Sequence, residues 1–140
     1  MKKTDEEPLI RGFLFACTEK TEAECLDRSL FAADTVYAPI VVRVRKGDLL
    51  FLNNLDTNTL YGVFKAVSDG DMNIQPDAWK GKYPYQVKVE ILGEKIALKK
   101  ARRILREFKI KRNTPILGKK LIKNYRCLFY RNNIYPFIAQ

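Results

Sequence analysis

The chain has 140 residues, 46% of them hydrophobic and 30% charged, with a formal net charge of +10 and no histidine. That length and apolar share support one folded domain with a core of its own, and no run approaches the roughly 18 apolar residues of a membrane-spanning helix. The missing histidine rules out Ser-His-Asp and Cys-His nucleophilic devices and Cys/His zinc sites, and no GxxxxGK[ST] or GxGxxG phosphate cradle occurs.

In chain order, residues 1–10 carry two lysines with no apolar stretch behind them and read as a solvated lead-in, not a secretory signal. Residues 11–17 (RGFLFAC) read as a buried strand with Phe13 and Phe15 on one face. The sequence TEAE at 21–24 has the form of a capping box, with Thr21 as N-cap and Glu24 at N3. Ala23, Leu26 and Leu30 then form the inward stripe of a helix ending near Phe31, with Glu24 and Arg28 paired on its outer side. Residues 32–39 are read as a connection. Residues 40–45 (IVVRVR) are read as a strand with Ile40, Val42 and Val44 inward. A turn at Lys46, Gly47 and Asp48 leads to a strand at 49–54, and a second turn leads to an apolar central strand at 60–68, in which Gly62 signals a bulge. Residues 68–79 form a polar, turn-prone loop that ends on the sole tryptophan, Trp79. Residues 85–91 alternate, with Val87, Val89 and Ile91 inward and Gln86, Lys88 and Glu90 outward.

Beyond Gly93 the period reads as helical. Ala97, Ala101, Ile104, Leu105 and Phe108 recur on one face, and Lys95, Lys99, Arg102 and Arg106 on another. A short strand at 108–111 and a last helix opened by Thr114 and Pro115 are expected, with Leu117, Leu121, Tyr125 and Leu128 on its apolar face. These elements make an α+β domain in which a small bent sheet closes into a β-barrel, with inserted and C-terminal helices. The whole of 1–140 is expected to be a single domain whose residues 94–140 form a basic, helical C-terminal part.

Charge divides the chain. Residues 1–94 hold 12 Lys and Arg against 15 Asp and Glu, a balance of −3, whereas 95–140 hold 14 against Glu107 alone, a balance of +13. Such asymmetry suggests a polyanionic partner, although a solvated basic face has the same composition. In residues 126–137, Tyr130, Tyr135 and Phe137 interleave with Arg126 and Arg131, which suits stacking on single strands and equally suits packing of a tail. Three cysteines, Cys17, Cys25 and Cys127, form no CxxC pair. An odd count without a signal sequence points to a reducing, cytoplasmic setting, with Cys17 and Cys25 as unreactive core residues.

The blocks GFLFACTEKTEAECLDRSLF (12–31), LFLNN (50–54), LYGVFKAVSDGDMNIQPDAW (60–79) and YPYQV (83–87) resemble the development and cell death (DCD) domain family, best known from plant stress-response proteins. The family's FGLP stands here as Phe31-Ala32-Ala33-Asp34 and its PAQV as Pro84-Tyr85-Gln86-Val87, so the loop after the first helix departs from the family pattern. More distantly the domain resembles PUA-like barrels, including the EVE and YTH domains, which read modified bases in a pocket beside the barrel. That resemblance implies a non-enzymatic binder of RNA or single-stranded DNA, or of a modified nucleotide, without cofactor, metal or membrane. The DCD relatives suggest instead a protein–protein interaction module with a protein partner, and a hydrolase using Asp69 or Asp77 is a third reading.

A base pocket needs an aromatic platform and polar edges. Trp79 is the candidate platform. Ser68, Asp69 and Asn73 are candidate edge contacts, Thr18 and Lys20 resemble pocket-lining positions of the related barrels, and Lys99, Arg102 and Arg106 are candidates for phosphate contact. Each has a structural alternative: the loop polar residues as turn formers, Trp79 as a cap on the core, and the basic residues as a solvated face.

Overall fold

The computed structural model describes residues 11–117. Its sheet runs in the order β1-β3-β4-β6-β2, from β1 (Gly12–Cys17) through β3 (Leu49–Asn54), β4 (Thr59–Ala66) and β6 (Tyr85–Lys99) to β2 (Leu30–Ala33), with the two-residue β5 (Asp71–Met72) also on β6. β1 lies parallel to β3, and the other pairings are antiparallel. The path bends into a nearly closed barrel, as expected. Its end strands, β1 and β2, are not paired with each other and leave a seam. The intervening α1 (Glu19–Arg28) crosses from one side of the seam to the other.

Both faces of the sheet are covered, so β1 and β3 are apolar on both sides, as strands buried on two faces are. Phe13, Phe15, Leu50 and Leu52 join Leu30, Phe31, Phe64, Val87 and Val89 in the barrel interior. Leu14, Leu49, Phe51, Leu60 and Val63 face outward onto α3 (Ala101–Glu107) through Ala101 and Leu105, with Ile110 and Ile116 closing that second core. The bulge expected at Gly62 is present. The β4–β6 register steps from Gly62↔Ile96 to Phe64↔Ile91, so β6 carries the extra residues.

Several sequence readings need correction. The N-cap of α1 is Thr18, not Thr21: the Thr18 N–H donates to Thr21 Oγ1 at 2.9 Å, and the Glu19 N–H is met by Asp56 Oδ2 at 2.9 Å. Glu24, read as the box carboxylate, is used elsewhere, while its expected pair with Arg28 forms at 2.8 Å. Ala23 is exposed, and Cys25 with half-buried Leu26 faces the core. The helix stops at Arg28 because Ser29 turns left-handed (φ 50°), and Leu30–Ala33, read as helix end and connection, is β2.

Residues 40–45 are no strand. A short turn of helix, α2 (Ala38–Val41), begins with Pro39 in its first turn and buries Ile40 and Val41, leaving Val42 exposed. In β6 Gln86 is buried and Ile91 exposed, the reverse of the expected sides. β6 also continues to Lys99, where a helix was expected. There, half-buried Ile96 and Leu98 alternate with exposed Lys95, Ala97 and Lys99, a period of two. The helix waits for left-handed Lys100 (φ 62°). Residues 108–111 form no strand, and at the position read as the start of a last helix Ile116 bridges back to Gly12. Leu121, Tyr125, Leu128, Cys127 and the interleaved stretch 126–137 lie outside the described residues.

Candidate nucleic-acid site

The loop after β4 divides into two stretches with different tasks. Ser68 Oγ donates to the Asp69 carbonyl at 2.9 Å and accepts the Lys88 N–H at 2.9 Å. Asp69 Oδ1 accepts the Lys46 N–H at 2.9 Å. Gly70 passes so close to α2 that a Cβ there would collide with the Val41 carbonyl oxygen. Asn73 takes the left-handed turn (φ 52°), and its N–H donates to the Pro84 carbonyl at 2.7 Å. Asn tolerates that conformation better than most residues.

The second stretch is held from inside. Gln86 Oε1 accepts the Gln75 N–H at 2.7 Å, and its Nε2 donates to the carbonyls of Gln75 (3.2 Å) and Tyr83 (3.0 Å). A buried amide thus supplies the bonds that a neighbouring strand would otherwise give. Arg28 ties the same stretch to α1, bonding Glu24, Gln75 and Asp77 at 2.8, 2.8 and 3.3 Å. Trp79 follows with φ 49° and ψ 33°, a conformation that is an outlier for a bulky side chain. α1 holds it there: the Trp79 N–H donates to Glu24 Oε2 at 2.8 Å and the indole N–H to the Thr21 carbonyl at 3.4 Å. The indole is 7% exposed and belongs to the interior core, with the Tyr83 ring edge-on at 5.9 Å.

The exposed side of Trp79 and Tyr83 faces a cavity of about 160 Å³ in the seam of the barrel. β1 contributes Ala16 and Cys17, α1 and its cap Thr18, Thr21 and Cys25, and β2 with its exit Ala32, Ala33, Asp34 and Tyr37. Leu55, from the β3–β4 turn, and Arg112 complete the lining. Arg112 stacks on Tyr37 with its guanidinium carbon 3.6 Å from the ring centre. A cavity near 150 Å³ holds a benzene-sized ring, and this one offers aromatic walls with one carboxylate and one guanidinium. On its floor the Cys17 thiol is pushed above its ordinary range, first by its hydrogen bond with Cys25 and then by burial. Such a thiol stays protonated and a poor nucleophile. Among the described residues no three His, Cys, Asp or Glu side chains gather as metal ligands would.

Of the residues singled out in the sequence, the structure brings Thr18 and Trp79 together at the cavity. Lys20 is exposed on the first turn of α1 and does not line it. Ser68, Asp69 and Asn73 are not among its lining residues. Lys99 ends β6 while Arg102 and Arg106 lie on α3, so the expected single helical stripe is split, and Lys95 on β6 sits 5.4 Å from the Tyr61 ring. All of the three candidate phosphate contacts are exposed. Asn58 caps α3 by accepting the Arg102 N–H at 2.8 Å, and Leu55 of the same turn lines the cavity. Sequence reading missed Tyr37, Tyr83, Asp34 and Arg112. The family-like blocks that end in Asp34 and begin at Tyr83 carried the only signal for any of them.

The nearly closed barrel is a fold shared with solved YTH domains. The Mmi1 YTH domain superposes with a TM-score of 0.66 at 12% identity, covering 88% of this chain and 98% of that one. The YTH domain of Zygosaccharomyces rouxii MRB1, solved in complex with N6-methyladenosine RNA, gives 0.59 at 9% identity over 84% and 86%. Likeness at that identity establishes the fold.

The sequence itself places the chain more narrowly: the family model of the development and cell death domain matches residues 11–114, and the chain belongs to that family. A DCD domain-containing protein of Glycine max, NRP-B, is 40% identical over 87 residues, which are 57% of this chain and 26% of that protein. The chain therefore corresponds to about a quarter of that relative's length.

Proposed function

We propose that this DCD domain is a non-catalytic nucleic-acid binder that takes one base of single-stranded RNA, or a modified nucleotide, into the seam cavity. The observation that carries the reading is the cavity itself, walled by Trp79, Tyr83 and Tyr37 and lined also by Arg112. Residues 95–117 hold nine Lys and Arg against Glu107 alone, the balance a phosphate chain would meet. The left-handed Trp79 adds support, since strain of this kind concentrates at binding sites. Proteins of the same fold have been solved with RNA.

The sole tryptophan is its own reporter. Titration with single-stranded RNA oligonucleotides should change Trp79 fluorescence. Tyr83→Ala should weaken binding by about 1–3 kcal/mol, the worth of one base–aromatic stack, while the protein remains folded. Replacing Lys99, Arg102 and Arg106 together by Ala should flatten the plot of log K against log salt by up to about 2, at roughly 0.7 per lost contact. Absence of binding to mixed RNA or DNA even at low salt overturns the proposal and leaves the protein-interaction reading.

A further inference from the structure

The cavity carries a pair of charged groups whose chemistry narrows the ligand further. Arg112 is half-buried, and its flat face is taken by the Tyr37 ring at 3.6 Å. A guanidinium has five N–H donors at its edge and no acceptor; the Tyr37 side chain takes one hydrogen bond from it, and among the described residues no carboxylate or backbone carbonyl accepts another. Burial lowers its pKa, and nearby Tyr37 and Asp34 oppose that shift, so the charge persists. Asp34, exposed and lining the same cavity, accepts the Val36 N–H through Oδ1 at 3.0 Å. Its second carboxylate oxygen has no bond partner among the described residues. The two side chains share the cavity without forming an ion pair with each other. A half-buried donor set that is mostly unpaired is costly unless a ligand or water fills the place.

Among the common bases only guanine offers both halves of this arrangement side by side. Its O6 and N7 accept two bonds from one guanidinium, and the adjacent N1–H and N2–H groups donate two to one carboxylate. Adenine sets a donor next to an acceptor on each edge, a pattern that an Asn or Gln amide matches, and no amide side chain lines the cavity. A guanidinium opposite adenine N7 would also face the N6 amino group, donor against donor, and a methyl group on N6 does not supply the missing acceptor. We propose that the seam cavity selects guanine, with Arg112 donating to O6 and N7 and Asp34 accepting from N1–H and N2–H. This rests on the nucleic-acid reading above and departs from the N6-methyladenosine RNA bound by the structural neighbour.

The test uses heptamers with one variable base in a uridine background, U3GU3, U3AU3 and U3(N6-methyl-A)U3, titrated against the whole chain with Trp79 fluorescence as readout. The guanine heptamer should bind at least about tenfold tighter than either adenine heptamer, the low end of discrimination by one bidentate pair. Asp34→Asn keeps an oxygen for the Val36 N–H and should remove most of the preference. Arg112→Gln installs the amide that adenine matches and should move the preference toward adenine, a reversal that a merely structural arginine would not produce. Guanine and adenine heptamers binding within twofold, a methyladenine heptamer binding tightest, or an Arg112→Gln protein that keeps the guanine preference would each overturn the selectivity and leave nucleic-acid binding standing. No fluorescence response or binding with any heptamer at low salt would overturn both.

Discussion

The two stretches of chain between β4 and β6 make an instructive pair. Residues 68–73 are polar and mostly exposed, and their side chains are spent on the protein's own backbone: Ser68 on Lys88, Asp69 on Lys46. Residues 75–83 are tied down from below by Gln86 and from the side by Arg28 and Glu24, so that two aromatic rings are held against a cavity. The first stretch is a strap whose polar groups are satisfied. The second is a rigid mount that leaves aromatic surface facing space. Polarity in a loop is therefore a poor guide to binding here, because short polar side chains are the ones best able to close turns. Support beneath an aromatic residue is the better guide, since a site works only when its contacts are held in place.

Trp79→Ala should have the largest effect on this comparison. The ring is 7% exposed, bonded through its indole N–H and packed on Tyr83. Its loss should cost about 3–5 kcal/mol, as for other buried aromatic residues, with a matching fall in the thermal midpoint. Trp79 is thus a core residue and a cavity wall together, which the sequence posed as alternatives. A variant that melts within a degree or two of the parent would mean that the second stretch is not the rigid mount described.

The legible parts of the sequence were those with two-sided or strictly alternating burial. Residues 11–17, 49–54 and 60–68 announce strands, and Gly62 announces its bulge. The misreadings have physical causes. IVVRVR alternates like a strand, yet Pro39 fits the first turn of a helix, and Ile40, Val41 and Val44 find the core from a helical turn. Residues 95–99 satisfy helical and strand periods at once, and pairing with β4 decides for the strand. The Thr21 box was plausible locally, but Asp56, distant in sequence, meets the first amide of α1. Trp79 could be named as a site residue because it is the sole tryptophan, and Thr18 because it resembles a pocket-lining position of the related barrels. Arg112 and Tyr37 could not, because only the closing of the seam brings residues 75 positions apart into a stack.

An intermediate effect is expected at the support. Gln86 is 1% exposed and meets three backbone groups. Gln86→Leu keeps much of the volume and leaves those groups without partners, which should cost roughly 1–3 kcal/mol. Because the bonds hold Gln75 and Tyr83, hydrogen exchange should quicken in 75–83 before it does in 68–73. Uniform quickening across both stretches would show that they open as one unit, and the division between strap and mount would fail.

The smallest effects should come from the strap, and these decide whether it touches ligand. Asp69 is exposed, so after Asp69→Ala the Lys46 N–H can turn to water, and the loss should be about 0.5 kcal/mol. Ser68→Ala removes a part-buried acceptor from the Lys88 N–H and should cost about 1 kcal/mol. Neither residue lines the cavity, so RNA affinity read by Trp79 fluorescence should match the parent in both variants once each is shown to be folded at the working temperature. A loss of affinity in Asp69→Ala with an unchanged melt would place the strap on the ligand after all. The binding surface would then run from the seam across α2, where Gly70 lies against Val41, and the exposed Arg43 and Lys46 would become the next residues to replace.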